Sequence, residues 1–146
     1  MLGRLAVLVG AAVLVASVGK QRVWQADVSV RALDVVSTRP GGPITTRVTI
    51  AADSDDARAV RVEIILPIGV AVLRLPDICR TSPSPVATLS ARVTCALGDM
   101  PMRGLRDFSI ATTAAVGGGR PRFAAFVFSD TPDPVPSNNF AERVLP

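Results

Sequence analysis

The 146 residues carry 16 basic and 12 acidic side chains, with no histidine and no tyrosine, so the formal charge is only +4. Lys20 is the only lysine; the arginines are scattered singly, usually near an acid, and no basic stripe interleaved with aromatics is present, which argues against a nucleic-acid partner. Without histidine or tyrosine the chain also lacks the usual groups that move protons near neutral pH, which argues against an enzyme.

Arg4 precedes an uncharged run from Leu5 to Val18. That run has the length of a signal-peptide core and falls short of the roughly 20 apolar residues a membrane span needs. The competing reading is a retained anchor flanked by Lys20 and Arg22. Small side chains at Ser17 and Gly19 suit cleavage after Gly19, giving a signal peptide over 1–19 and one compact domain over 20–146. The mature domain is therefore expected to be secreted or held in the cell envelope.

Past Trp24 the apolar residues recur with a period of two, which predicts short half-buried strands rather than helices. Trp24 itself precedes the first strand and is expected to cover an open end of the core. Val28, Val30 and Ala32 share one face; after a turn at Pro40 to Pro43, so do Ile44, Thr46, Val48 and Ile50. The acidic turn Asp53, Ser54, Asp55, Asp56 leads to Val60, Val62, Ile64 and Leu66, and Pro67 ends that strand. Val70 to Leu73 reads as a short edge segment, and Pro76 to Pro85 as a loop carrying Cys79. Val93, Cys95 and Leu97 face inward before a turn at Gly98, Asp99 and Pro101. Phe108, Ile110 and Thr112 follow, then a glycine-rich tip over 117–119. In the next strand Phe123, Ala125 and Val127 face one way and Ala124, Phe126 and Phe128 the other, which predicts a central strand covered in part on both sides. Phe140, Glu142 and Val144 close the chain.

Seven or eight strands with no helix between them predict an all-β, immunoglobulin-like antiparallel β-sandwich, preceded by the signal-peptide helix. Cys79 and Cys95 are the only cysteines. In an exported chain they read as a disulfide, since zinc would need further ligands and the C-x-x-C redox spacing is absent. A bond closing that loop contributes roughly 3 kcal/mol. No cofactor is implied. Asp130, Asp133 and Asn138 lie in one loop and are the candidate calcium ligands, against the plainer reading that they are turn formers among Pro132, Pro134 and Pro136.

The order Leu66-Pro-Ile-Gly69, Cys79, Val93-Thr-Cys-Ala-Leu-Gly98, Gly104 leading into Phe108-Ser-Ile110, and Asp133 through Asn138-Asn139 resembles a widespread bacterial surface repeat. That repeat is known as the eleventh-numbered domain of unknown function and is similar to the cell-adhesion-related domain in bacteria. The resemblance covers the chain from about Asp27 onward and implies an immunoglobulin-like module of exported surface proteins. Two roles follow as expectations. One is a non-catalytic module with a structural, adhesive or protein-interaction role at the cell envelope, contacting a protein or an envelope component. The other is a soluble secreted binding protein or inhibitor presenting the disulfide-braced loop over 76–85.

Overall fold

The computed structural model describes residues 23–82, 91–115 and 119–145. The expected leader over 1–19, its cleavage point, Pro83, Pro85, Gly117 and Gly118 lie outside the described residues. Nine strands form in chain order: β1 (Val28–Ser37), β2 (Ile44–Ala52), β3 (Ala57–Ile65), β4 (Val72–Arg74), β5 (Cys79–Ser82), β6 (Arg92–Met100), β7 (Gly104–Thr112), β8 (Arg122–Phe128) and β9 (Phe140–Val144). They make a four-stranded sheet, β1-β2-β7-β4, and a five-stranded sheet, β5-β6-β3-β8-β9, with antiparallel pairing throughout. The chain is an immunoglobulin-like β-sandwich, because β1 and β2 pair in one sheet and the chain then crosses between sheets at every step from β2 to β5 and again from β6 to β8.

The period-two pattern places the core. Ile44, Thr46, Val48 and Ile50 of β2 are buried, as are Val60, Val62 and Ile64 of β3 and Phe123, Ala125 and Val127 of β8. Leu66 continues the β3 face into the core just beyond the strand, its N–H donating to the Ala91 carbonyl, and Pro67 follows. Alternating inward faces from two sheets thus enclose one apolar layer.

The ninth strand is β5. Residues 79–82 were expected within a loop, but they pair with β6 from Cys79↔Cys95 to Ser82↔Arg92. Four residues with Pro76 before them carry too little alternation to read as a strand; the partner strand supplies the order. The face of β1 also differs from the simple alternation. Its register steps from Val30↔Ile50 to Ala32↔Thr49, so Arg31 is an extra residue and Leu33, not Ala32, takes the next core position. Arg31 then reaches Asp53, its Nη2 lying 2.8 Å from each carboxylate oxygen.

Gly98 adopts φ +72, yet it sits inside β6 and not in the expected turn. The β3/β6 register shifts on both sides of Val60↔Gly98, and Ala59 also has positive φ, at 49°. The Asp99 carboxylate accepts the Ala59 N–H at 2.9 Å and holds this bulge. The reversal itself comes later, at Pro101 to Gly104, where the Gly104 N–H donates to the Pro101 carbonyl.

The outer face of β8 is a further departure. Strand β8 lies between β3 and β9 as a central strand should, but among the described residues no element packs over its outer side. Phe128 is exposed and Phe126 is half-buried against Phe140 of β9, with ring centroids 4.8 Å apart.

Candidate functional site

One end of the sandwich gathers the segment before β1, the β2–β3 connection, the β6–β7 turn and the loop after β8. Backbone bonds tie them together: Ala26 N–H to the Pro132 carbonyl, Asp53 N–H to the Asp27 carbonyl, and Asp130 N–H to the Arg58 carbonyl. Ser54 adds two more, donating its hydroxyl to the Gln25 carbonyl and accepting the Asp27 N–H. The acidic turn over 53–56 is therefore a crossing between sheets, and its side chains are committed to neighbours. Asp53 pairs with Arg31, and Asp56 accepts the Met102 N–H.

The three candidate calcium ligands lie at this end but take separate protein partners. Asp130 pairs with Arg61 at 3.4 Å. Asp133 uses Oδ2 to accept the Val28 N–H and Oδ1 to accept the Val135 N–H, at 3.1 and 2.7 Å. Asn138 donates its amide to Asp27 Oδ1 at 2.8 Å. Among the described residues no group of three His, Cys, Asp or Glu side chains is arranged to hold a metal ion. Asp133 and Asn138 thus anchor the loop at the start of β1, through Val28 and Asp27, and Asp130 ties it to β3.

Beside these anchors is an open cleft of about 690 Å³, walled by Trp24, Asp56, Arg58, Asp99, Met100 and Asp130 among others. Trp24 was expected to lid the core. It stays 62% exposed, and Ala26, fully buried, enters the core in its place.

Cys79 and Cys95 are joined, with Cα atoms 4.0 Å apart. They oppose each other directly across β5 and β6, while the adjacent Ala96 N–H donates to the Ile78 carbonyl. This makes the cysteines a non-hydrogen-bonded cross-strand pair, the type in which facing side chains approach most closely. Both are buried and belong to the core cluster. The bond thus pins an edge strand to its neighbour, where the sequence suggested a brace on a loop.

The outer face of the five-stranded sheet is the feature that sequence reading did not single out as a site. The registers align Phe128 with Arg61, Phe126 with Glu63 and Phe140, and Ala124 with Ile65 and Glu142. The signal in the sequence is the second apolar face of β8, which reads equally well as a buried face.

No family model matches the chain, and no curated protein matches it. Among solved structures it is similar to an uncharacterized protein from Nocardia farcinica described as having an immunoglobulin-like fold, with TM-score 0.47 and 10% identity over 83% of this chain and 97% of that one. It is also similar to part of a family GH18 chitinase from Chromobacterium violaceum, with TM-score 0.41 and 13% identity; the match covers 72% of this chain but spans only 18% of the chitinase. Both are distant likenesses, and the fold assignment rests on the strand order and registers.

Proposed function

We propose that the chain is an exported, non-catalytic immunoglobulin-like module with a structural, adhesive or protein-interaction role at a bacterial cell envelope. The observation that carries this reading is the buried Cys79–Cys95 bond, because structural disulfides form and persist in oxidising compartments and are rare in the reducing cytosol. The apolar run from Leu5 to Val18 supports export, and the absence of histidine and tyrosine supports a role without acid–base chemistry. The ordered motifs from Leu66 to Asn139 support kinship with the eleventh-numbered domain of unknown function and the cell-adhesion-related domain.

A soluble secreted binding protein is the second reading. It is favoured by Ile78 and Arg80, both exposed beside the disulfide, because a braced edge strand loses little conformational freedom when a partner binds. Cell fractionation of the producing organism tests the choice. Retention of the chain in the envelope fraction supports the module, release into the medium supports the soluble binder, and a cytosolic chain with free thiols refutes both.

A further inference from the structure

Strand β7 is 9 residues long, and β2 pairs with it from end to end. On its other side β4 covers only Ala111 and Thr112. In an antiparallel strand alternate residues turn their backbone groups to the same neighbour. The Thr113 N–H donates to the Ala71 carbonyl at 2.8 Å, so Leu105, Asp107 and Ser109 likewise turn theirs away from β2. Arg106 covers the Leu105 carbonyl with its own Nη1 at 3.2 Å. Among the described residues nothing bonds to the N–H or C=O of Asp107 or Ser109. The edges of β1 and β5, by contrast, are capped by the chain itself. In β1 the Val28 N–H goes to Asp133, and the Leu33 carbonyl accepts from Arg143 Nε at 3.0 Å, which also clasps β1 to β9. In β5 the Cys79 N–H donates to the Pro76 carbonyl, and the Cys79 carbonyl accepts from Arg80 Nη1 at 2.8 Å.

Beside β7 runs an open cavity of about 680 Å³, with residues 74–77 on one wall and 107–111 on the other. Strand β4 stops at Arg74, and Leu75 and Pro76 carry the chain to the other sheet, so the place that a longer β4 would fill is vacant. Unpaired donors and acceptors on alternate residues match another extended backbone. The Asp107 carboxylate accepts the Thr49 hydroxyl at 2.6 Å; Asp77 lines the same cavity, and among the described residues neither carboxylate pairs with a cation. Arg74 stands at the far end, opposite Ala111. An added strand is therefore best matched by a basic residue opposite Asp107. Phe108, half-buried against the core, lies at a non-hydrogen-bonded position, where facing side chains approach most closely, and calls for an apolar residue. A second copy does not fit through its own β7. Two-fold pairing centred on Arg106 sets two guanidiniums directly opposite each other, and pairing centred on Asp107 sets two carboxylates so. Centred on Phe108, the copy's Leu105 falls opposite Ala111, where Arg74 already stands. We infer that the open edge of β7 is a strand-addition site for an extended segment of a partner protein, which pairs its backbone with Asp107 and Ser109, lays an apolar side chain over Phe108 and sets a lysine or arginine opposite Asp107. This deepens the protein-interaction reading, and the two fail separately: fractionation does not report on this edge, and peptide binding does not report on export.

The test titrates a short fluorescein-labelled peptide, alternating valine with threonine and carrying a central lysine on the threonine face, with the full chain. The same peptide with glutamate for lysine runs beside it. Fluorescence anisotropy at low salt is expected to show the lysine peptide binding at least about ten-fold more tightly. Methylating the lysine and threonine backbone nitrogens, which face β7 in this register, should weaken binding by about ten-fold or more, while methylating the valine nitrogens should spare it. Asp107→Lys should reverse the preference between the two peptides, whereas Asp34→Lys on β1, at the far edge of the same sheet, should leave it unchanged. Both aspartates are exposed, and an unaltered melting temperature confirms that each variant is folded. In the unmutated chain, hydrogen exchange of the Asp107 and Ser109 amides should slow by about ten-fold or more at saturating peptide. Equal affinity for both peptides, equal loss from either methylated set, no binding at millimolar peptide, or protection at β9 in place of β7 would overturn the inference. So would self-association of the chain that protects the same amides without peptide.

Discussion

Thr46 and Thr112 occupy diagonal positions on the inner face of β2 and β7, where the register sets Ile44 opposite Thr112 and Thr46 opposite Ile110. Both are fully buried, and neither hydroxyl has a hydrogen-bond partner. Period-two reading puts both inward, but a sequence does not reveal whether an inward threonine finds an acceptor. Since a buried unpaired hydroxyl costs desolvation with nothing in return, Thr46→Val, which keeps the shape, should raise stability by about 1 kcal/mol in thermal unfolding. A loss of similar size would mean that the hydroxyl is bonded after all. Asp133 is the opposite case. From sequence, Asp133→Ala should matter only if calcium binds; in the structure the carboxylate receives the N–H of fully buried Val28 as well as that of Val135. Its removal should therefore cost about 1 to 3 kcal/mol, equally with calcium and with chelator. A melting shift that appears only with calcium would restore the metal reading.

At the scale of elements, legibility follows alternation. Strands β3 and β8 repeat an apolar residue at every second position from Val60 and Phe123, and β2 and β7 keep the same alternation with Thr46 and Thr112 on the inner face, so these core faces are readable. Short β5 has no such repeat, and its existence depends on β6. Bulges are equally hidden, because one extra residue such as Arg31 flips the face without altering composition. The β3/β6 bulge gives a clean test. Gly98 has φ +72, and a Cβ added there would meet nothing within 4 Å, so Gly98→Ala changes backbone preference alone. The expected cost is about 1 kcal/mol in chemical denaturation, and a much larger loss would imply contacts that the structure does not contain. The disulfide acts at this scale too. Cys95→Ser should lower stability by about 3 kcal/mol through the released loop and leave β5 held to the edge of the sheet by backbone bonds alone. Loss of hydrogen-exchange protection would then concentrate at Ala96, whose N–H donates to Ile78, and spare β8.

For the whole molecule, the sandwich class was legible because strand count, turn spacing and the absence of helical stripes all pointed one way. The candidate surface was not, because Phe126 and Phe128 read equally well as the second buried face of a central strand. Only the sheet order shows β9 to be the last strand and the outer side to be uncovered by the described residues. The cysteines join compartment to fold. A compartment clue in the sequence becomes, in the fold, a buried rung between an edge strand and its neighbour, and the proposal of an exported module depends on that rung forming in the cell. The most direct measurement is the intact mass of the chain isolated from its own organism with thiols blocked at lysis. The account predicts a species beginning at Lys20, two hydrogens lighter than the reduced chain and carrying no blocking group. Two alkylated cysteines on a chain that still retains residues 1–19 would contradict it.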